Sequence, residues 1–220
     1  MEESLNHSGK DFKIIFDFDN TLFSAKKWVK AIIADFKKAG VPEEIYSRTF
    51  YASKDEIGYR PEVQFKLIKK ELPGVDISKL EEIFERQTKE TKKYLYPDVL
   101  PFLEKAGKTT KLYLITYGHR DVQEAKLEGC GIKPFFEKIM IVETPDKVSA
   151  MRQIIEGNER AVFVEDSPKA LIEAKSAFPN IVTVRINRGE GGYAGESNGA
   201  AVDYEVDSLD TVLESLLKYR

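Results

Sequence analysis

Two aspartates stand one residue apart near the start of the chain, directly after an apolar run. The sequence from Ile14 to Phe23 reads IIFDFDNTLF, so Asp17 and Asp19 follow a segment that is typical of a buried strand. Each carboxylate raises the cost of ionising the other unless a positive charge lies beside them. A hard divalent cation such as Mg²⁺, which binds oxygen ligands, supplies that charge. The spacing therefore predicts a magnesium site at the end of this strand.

Polar residues also follow the later predicted strands. They are Thr116, Tyr117 and Gly118 at the end of KLYLIT, Lys147 after KIMIV, and Glu165 and Asp166 at the end of AVFVE. Open parallel sheets bind their ligands at the carboxyl ends of the strands, where these positions would meet. We therefore expect Asp17, Asp19 and Asp166 to bind Mg²⁺ together.

The same positions predict phosphoryl transfer. An aspartate is ionised at neutral pH and can attack an electrophilic phosphorus, which is the role expected of Asp17. Asp19 would protonate the leaving oxygen and later take a proton from water. Four residues would bind the phosphoryl group, namely Thr116, Tyr117, Gly118 and Lys147. The charge of Lys147 would also stabilise the transition state.

Each of these residues also has an ordinary structural explanation. Asp-Asn-Thr is common turn and cap chemistry, Thr116 is a suitable helix cap, and Lys147 is typical of a solvated first turn. Residues 165–167 would cap a helix that begins at Pro168. The ordered combination at successive strand ends favours the chemical interpretation.

Strand and helix patterns alternate from residue 108 onward. Predicted strands cover 11–17, 111–116, 138–142, 161–165 and 181–186, with a last one near 204–206. Helical patterns cover 119–129, 147–157 and 168–178, with Gly129 and Gly157 as expected stops, and a terminal helix covers 208–219. Single helices between strands require crossover connections. The predicted fold is therefore α/β, with a Rossmann-like parallel sheet.

Residues 24–96 contain helical patterns and almost nothing typical of a strand. The helix start signals are Ser24, Pro42, Pro61 and a capping box at residues 78–81. We therefore predict an α/β core domain of residues 1–23 and 97–220 that is interrupted by an all-helical domain of residues 24–96.

The composition of the 220-residue chain argues against several classes of function. Its 34 basic and 37 acidic residues give a net charge of −3 without a basic stripe, so nucleic acids and anionic membranes are poor candidate partners. The first residues lack the apolar segment of a secretory leader. The single cysteine, Cys130, excludes an internal disulfide framework and is expected to be buried. We therefore expect a cytoplasmic protein.

The glycine-rich stretch 189–199 contains two misleading motifs. A GxGxxA match lacks a following helix pattern, and a GxSxG match lacks a later histidine, since His119 is the last one in the chain. We interpret this stretch as a flexible loop.

The sequence resembles the haloacid dehalogenase superfamily in four motifs. The matching segments are DFDNT (17–21), LITYG (114–118), Lys147 and FVEDS (163–167). The resemblance implies a Mg²⁺-dependent phosphohydrolase that forms an aspartyl-phosphate on Asp17. It also implies that Asp19 offers its backbone carbonyl to the metal and that residues 24–96 form a C1-type cap. Dehalogenases of the family lack the second aspartate, so Asp19 favours phosphate over halide chemistry.

Two residues depart from the family pattern, and three functions remain open. Asn20 replaces a common glycine, and Glu165 stands where aspartate is common, so Glu165 would contact the metal through water. The leading hypothesis is hydrolysis of a small phosphorylated metabolite, a phosphomonoester. A phosphomutase of the same fold and a non-catalytic binding protein are the alternatives.

The predicted cap would decide the substrate. Its aromatic residues would either stack on a base or sugar in the cleft or form the core of the cap, and they are Trp28, Tyr46, Phe50, Tyr51 and Tyr59. Arg48 or Arg60 would contact a second anion on the substrate. The sequence specifies no particular metabolite.

Overall fold

The computed structural model describes residues 13–157 and 159–212. One parallel sheet of six strands lies at the centre of this part of the chain. Its strands are β1 (Lys13–Phe16), β2 (Lys111–Tyr117), β3 (Lys138–Val142), β4 (Ala161–Glu165), β5 (Val182–Ile186) and β6 (Tyr204–Val206). They lie in the order β3-β2-β1-β4-β5-β6, and every neighbouring pair is parallel. The predicted α/β class and the Rossmann-like parallel sheet are confirmed.

The register of the central strand brings three strand ends together. Phe16, the last residue of β1, pairs with Leu114 of β2 and with Val164 of β4. Because parallel strands run in one direction, the chain leaves all three at the same edge of the sheet. The predicted site lies at this edge.

Four α-helices and a short 3-10 helix follow β1 within residues 24–96. They are α1 (Ala25–Lys38), α2 (Glu43–Ala52), α3 (Pro61–Glu71), α4 (Ile77–Lys89) and the 3-10 helix Thr91–Tyr94. Within residues 24–96, isolated bridge pairs are the only strand-like features, in agreement with the helical pattern. The assignment of these residues to a separate cap domain stays a prediction.

The predicted capping box at residues 78–81 is wrong. The helix α4 begins earlier, because Asp76 accepts a hydrogen bond from the Lys79 amide at 3.3 Å and caps it. Aspartate and serine are comparable caps, so the sequence DIS offers two starts and does not decide between them. The other start signals agree with the observed helices, at Ser24, Pro42 and Pro61.

The remaining α-helices alternate with the later strands. They are α5 (Val99–Ala106), α6 (Arg120–Cys130), α7 (Val148–Met151) and α8 (Pro168–Ala177). The predicted helix 147–157 is too long, since α7 makes a single turn. Ile154 and Ile155 follow it in turns and loop and pack into an apolar cluster with strand residues, which fixes a non-helical path there.

Gly129 does not end α6 as predicted. The helix continues to Cys130, which is buried as expected, and Gly131 ends it with a φ of 69°. Gly129 has a different function, because a Cβ there would lie 2.4 Å from the Thr88 carbonyl oxygen. The missing side chain lets α6 lie directly against the end of α4.

The sheet buries apolar residues on both faces. Ile14 and Phe16 belong to a cluster that also includes Trp28 and Ile32 of α1, whereas Ile15 faces a second cluster beneath α7 and α8. No helix among the described residues is long and apolar enough to cross a membrane. Residues 209–212 are helical, and the rest of the predicted terminal helix lies outside the described residues.

Candidate active site

A tight turn follows β1 and separates the two aspartates. The Asp17 amide still donates to the Val164 carbonyl at 3.0 Å, which extends the sheet pairing by one residue. The Phe18 carbonyl then accepts the Phe23 amide at 3.0 Å, and Asn20 adopts a φ of 60°. The chain therefore turns directly after Asp17, and the two carboxylates have different partners.

Lys147 joins two buried carboxylates. Its ammonium donates to Asp17 Oδ1 at 2.5 Å and to Glu165 Oε2 at 2.6 Å. The exposed fractions are 9% for Lys147, 4% for Asp17 and 1% for Glu165, so water screens this pairing little. The other Glu165 oxygen accepts the amides of Asp166 and Ser167, both at 3.1 Å. The residue that precedes α7 and the last residue of β4 thus both place a charged group beside Asp17.

Asp17, Glu165 and Asp166 form an acidic cluster at the same edge of the sheet. One oxygen of each lies within 4.8 Å of the others. Burial and then the charge of Glu165 raise the pKa of both Asp17 and Asp166 above the usual range. Burial lowers the pKa of Lys147, but the charges of Asp17 and Glu165 outweigh burial and raise it. With one ammonium beside three carboxylates, the cluster can accept a further positive charge.

The Asp19 carboxylate lies in a separate network with α6. Its oxygens accept the Lys126 ammonium, both at 2.7 Å, and one of them also accepts Gln123 Nε2 at 3.0 Å. The same nitrogen of Gln123 lies 2.9 Å from Thr116 Oγ1 and 2.8 Å from the Tyr117 carbonyl oxygen. Two residues predicted for catalysis, Asp19 and Thr116, are therefore linked by one amide.

The predicted site residues lie in two separate groups. Asp17, Asp166 and Lys147 lie together, as expected for a metal and phosphoryl site. The Asp19 carboxylate is not part of the acidic cluster. The expected contact between the Asp19 backbone carbonyl and a metal stays a prediction. Tyr117 and Gly118 follow Thr116 at the end of β2, where the Gly118 amide donates to the Val142 carbonyl at 3.1 Å. That amide is already paired, which counts against its expected contact with phosphate.

Gln123 and Lys126 are not among the predicted site residues, although their spacing in the sequence offers a signal. Polar residues recur at helical spacing at the N-cap His119 and at Gln123 and Lys126 of α6, and each is less than 9% exposed. Polar and charged side chains on the buried face of a helix need partners inside the protein. A buried stripe of this kind indicates a functional network rather than a solvated helix face.

The loop between α2 and α3 contacts the sheet end that carries Thr116. His119 Nε2 lies 2.8 Å from Asp55 Oδ1, and the Tyr117 hydroxyl donates to the Glu56 carbonyl. Of the aromatic residues that would face a cleft, Trp28 and Tyr46 are buried in the apolar core, whereas Tyr51 is 71% exposed. Arg48 pairs with Glu71 and Arg60 with Glu62.

The glycine-rich stretch after β5 packs against the turn that follows Asp17. Arg188 Nη2 donates to the Thr21 carbonyl at 3.0 Å. A Cβ on Gly191 would lie 2.9 Å from Asn20 Nδ2, and this glycine has a φ of 91°. No helix begins between residues 189 and 199, so this stretch is a loop as predicted, and its expected flexibility stays a prediction. The loop helps to hold the turn in place.

Most of the chain matches one family of proteins. The model of the haloacid dehalogenase-like hydrolases matches residues 14–184. The chain belongs to this family. The matched range of this HAD-like hydrolase includes Asp17, Thr116, Lys147 and Asp166, and the roles expected of these residues stay predictions. No curated protein sequence matches the chain.

Solved structures share the fold of this HAD-like hydrolase over nearly its whole length. The HAD-hydrolase YfnB from Bacillus subtilis, described as bound to magnesium, is 19% identical, with a TM-score of 0.66 and coverage of 94% of this chain and 99% of the other. A haloacid dehalogenase-like hydrolase from Burkholderia xenovorans is 18% identical, with a TM-score of 0.78 and coverage of 96% and 98%. A protein from Thermotoga maritima described as a β-phosphoglucomutase is 18% identical, with a TM-score of 0.63 and coverage of 94% and 99%. Haloacid dehalogenases also match. At these low sequence identities, the structural similarity shows the fold alone and does not identify a substrate.

Proposed function

We propose that this HAD-like hydrolase hydrolyses a small phosphomonoester with Mg²⁺ and forms an aspartyl-phosphate on Asp17. The observation that carries the proposal is the buried contact of Asp17 with Lys147 inside the acidic cluster. A carboxylate beside a fixed ammonium, with a phosphate-binding hydroxyl on the neighbouring strand, suits attack on a phosphoryl group.

The acidic cluster fits a magnesium ion. Asp17 and Asp166 would hold the ion, and Glu165 would contact it through water because its oxygens already bind Lys147 and two amides. Asp166 Oδ2 is buried and has no hydrogen-bond partner among the described residues, which leaves it free for a ligand. Asp19 would add its backbone carbonyl. When bound, Mg²⁺ polarises a phosphoryl oxygen and offsets the negative charge of the cluster.

Four residues of the chain have separate roles in the proposed reaction. Asp17 attacks phosphorus, so a P–O bond forms to its carboxylate as the bond to the leaving oxygen breaks. Asp19 gives a proton to that leaving oxygen and then takes one from the water that attacks the aspartyl-phosphate. Lys147 stabilises the charge on the phosphoryl oxygens during both steps. Thr116 donates its hydroxyl hydrogen to one of these oxygens.

Asp19 favours a phosphate ester over an organic halide as the substrate. A halide ion leaves without a proton, whereas an alkoxide is a strong base and requires one. The Asp19 carboxylate is 30% exposed and linked through Gln123 to the Thr116 hydroxyl, a position that suits proton transfer to a leaving group. We also infer a catalytic function rather than a purely binding one, since binding alone would not require this second acid.

We also infer that residues 24–96 act as a cap over the site. The contacts of Asp55 and Glu56 with the end of β2 support this, because they bring the helical segment to the edge where Thr116 lies. The partner we propose is a small phosphorylated metabolite in the cytoplasm, with no role for nucleic acid or a membrane surface. Such a cap would exclude water and select the leaving group.

A panel of phosphorylated metabolites and p-nitrophenyl phosphate, assayed with and without Mg²⁺, tests the proposal. We expect phosphate release that requires the metal and that Asp17→Asn abolishes without loss of fold. Interconversion of sugar phosphates without net phosphate release would indicate a mutase instead. Failure of the whole panel with Mg²⁺ bound would refute the enzymatic proposal.

A further inference from the structure

The Lys126 side chain is enclosed by three aromatic rings. Its ammonium lies 5.3 Å from the ring centroid of Phe18, 5.2 Å from that of Phe23 and 5.3 Å from that of Trp28. The residue is 4% exposed, so the charge has lost most of its water. The faces of aromatic rings attract a cation, and this attraction strengthens when the cation is desolvated. We call Phe18, Phe23 and Trp28 the ring box.

The ring box leaves one direction for strong hydrogen bonding. An ammonium has three N–H donors, and Lys126 directs donors to both oxygens of Asp19 at 2.7 Å. The rings cannot accept comparable bonds, so the ammonium is restrained from one side and bound to the carboxylate on the other. The Asp19 carboxylate is consequently restrained even though it is 30% exposed.

The backbone of Lys126 is fixed as well. Its carbonyl accepts the Thr91 hydroxyl at 2.7 Å, and Gly129 lets α6 pack closely against the end of α4. These two contacts hold α6 against the end of α4 and the 3-10 helix that follows it. A lysine on a fixed helix, with its ammonium inside a rigid box, is suited to define a position.

Gln123 extends this restraint to Thr116. Its Nε2 lies within 3.0 Å of Asp19 Oδ2, of Thr116 Oγ1 and of the Tyr117 carbonyl oxygen. When the Thr116 oxygen accepts from this amide, its own hydroxyl hydrogen is free to donate to a phosphate oxygen. The amide has two hydrogens, and with one directed to Thr116 Oγ1 and the other to Asp19 Oδ2 it orients the Thr116 hydroxyl and holds the Asp19 carboxylate beside it.

We propose that Lys126 and Gln123 are positioning residues that hold the Asp19 carboxylate and the Thr116 hydroxyl in one fixed arrangement for phosphoryl transfer. This inference rests on the function proposed above and extends it to residues outside the four motifs. Lys126 acts on Asp19, and Gln123 acts on Asp19 and Thr116 together. Neither residue contacts the acidic cluster through a hydrogen bond or ion pair found among the described residues.

A double-mutant cycle on kcat tests the role of Lys126. The variants are Lys126→Met, Asp19→Asn and the double variant, assayed with p-nitrophenyl phosphate and Mg²⁺. This leaving group needs little protonation, which keeps Asp19→Asn measurable, so the expected loss falls on the step in which Asp19 takes a proton from the attacking water. Methionine fits the ring box, since it has similar length and its sulfur packs well on aromatic rings. We expect Lys126→Met to lower kcat roughly 10- to 100-fold with KM nearly unchanged, as for partial loss of an acid–base group. In the Asp19→Asn background the same change should have almost no further effect.

A structural role would give a different result. If Lys126→Met lowers kcat by the same factor in both backgrounds, or leaves kcat unchanged in the parent protein, the inference is wrong. If Lys126→Met does not fold, the cycle is repeated with Lys126→Gln, which keeps a donor and introduces less apolar surface. Absence of Mg²⁺-dependent turnover in the parent protein would refute the proposed function itself and the inference with it, whereas turnover with additive effects would refute the inference alone.

Lys13→Met is the matched control. Lys13 is also a buried lysine, 9% exposed, and it pairs with Glu159 and the Ile154 carbonyl at the opposite end of β1. We expect this variant to unfold more easily and to keep the kcat of the parent protein. The corresponding change at Gln123, Gln123→Met, should raise KM as well as lower kcat, because it also releases the Thr116 hydroxyl.

Discussion

Replacing Lys147 with methionine should destabilise the protein strongly in the absence of divalent cations. The substitution removes the ammonium that lies 2.5 Å from Asp17 Oδ1 and 2.6 Å from Glu165 Oε2, and it leaves both carboxylates buried. Loss of one partner of a buried ion pair costs about 3 to 5 kcal/mol. Two carboxylates lose their partner here, so we expect the free energy of unfolding to fall by at least about 3 kcal/mol at neutral or higher pH.

The loss should depend on pH in a defined direction. Burial already raises the pKa of Asp17 above its ordinary value of 3.8, and Lys147 opposes that rise. Without the lysine the folded protein binds a proton on this group more tightly than the unfolded chain does. Stability therefore falls as pH rises from the ordinary value through the raised one, and the deficit is larger at about pH 8 than at about pH 5.

Urea unfolding at the two pH values, in buffer with a chelator, measures both effects. Lys89→Met is the control, because Lys89 pairs with Glu85 on the surface and its side chain is 73% exposed. We expect no measurable change for that variant. A loss for Lys147→Met of less than about 1 kcal/mol, or one independent of pH, would refute the assignment of Lys147 as the buried counter-charge.

Two further results follow from the same structure. Magnesium binding should release protons near neutral pH, because the raised pKa values of Asp17 and Asp166 leave part of this pair protonated until a cation displaces the protons. Calorimetric titrations in two buffers of different ionisation enthalpy measure the release, and equal heats in both would contradict it. Gly129→Ala should lower the free energy of unfolding by about 1 to 3 kcal/mol, since its Cβ would lie 2.4 Å from the Thr88 carbonyl oxygen. Gly74→Ala, where a Cβ meets nothing within 4 Å, is the control in the same urea assay, and equal losses would refute the packing argument.

The sheet could be predicted because its signals are local. Short apolar runs separated by single helical patterns specify both the strands and their parallel arrangement, and the predicted strand 138–142 matches β3 to the residue. Helix ends were harder to predict, as α4 and α6 show. Asp76 and Ser78 are both good caps, and Gly129 has a packing function that depends on Thr88, a residue far away in the sequence.

The candidate site could be predicted in part for the same reason. Asp17, Lys147 and Asp166 each follow a strand, and the parallel topology alone brings them to one edge. The path of Asp19 depends on the turn at Asn20, and its partner Lys126 is 107 residues away on a helix. Spacing along the chain cannot specify that contact, although the buried polar stripe of α6 indicates that some such partner exists.

Acid quenching of the enzyme during turnover, followed by mass analysis of its peptides, shows which residue carries the phosphoryl group. We expect one phosphoryl group on the peptide that contains Asp17, formed only with Mg²⁺ and absent from Asp17→Asn. Asp19→Asn and Lys126→Met should still form it, because both keep the nucleophile. Turnover of a phosphomonoester with no phosphoryl group on Asp17, or with the group on another residue, would refute the proposed aspartyl-phosphate.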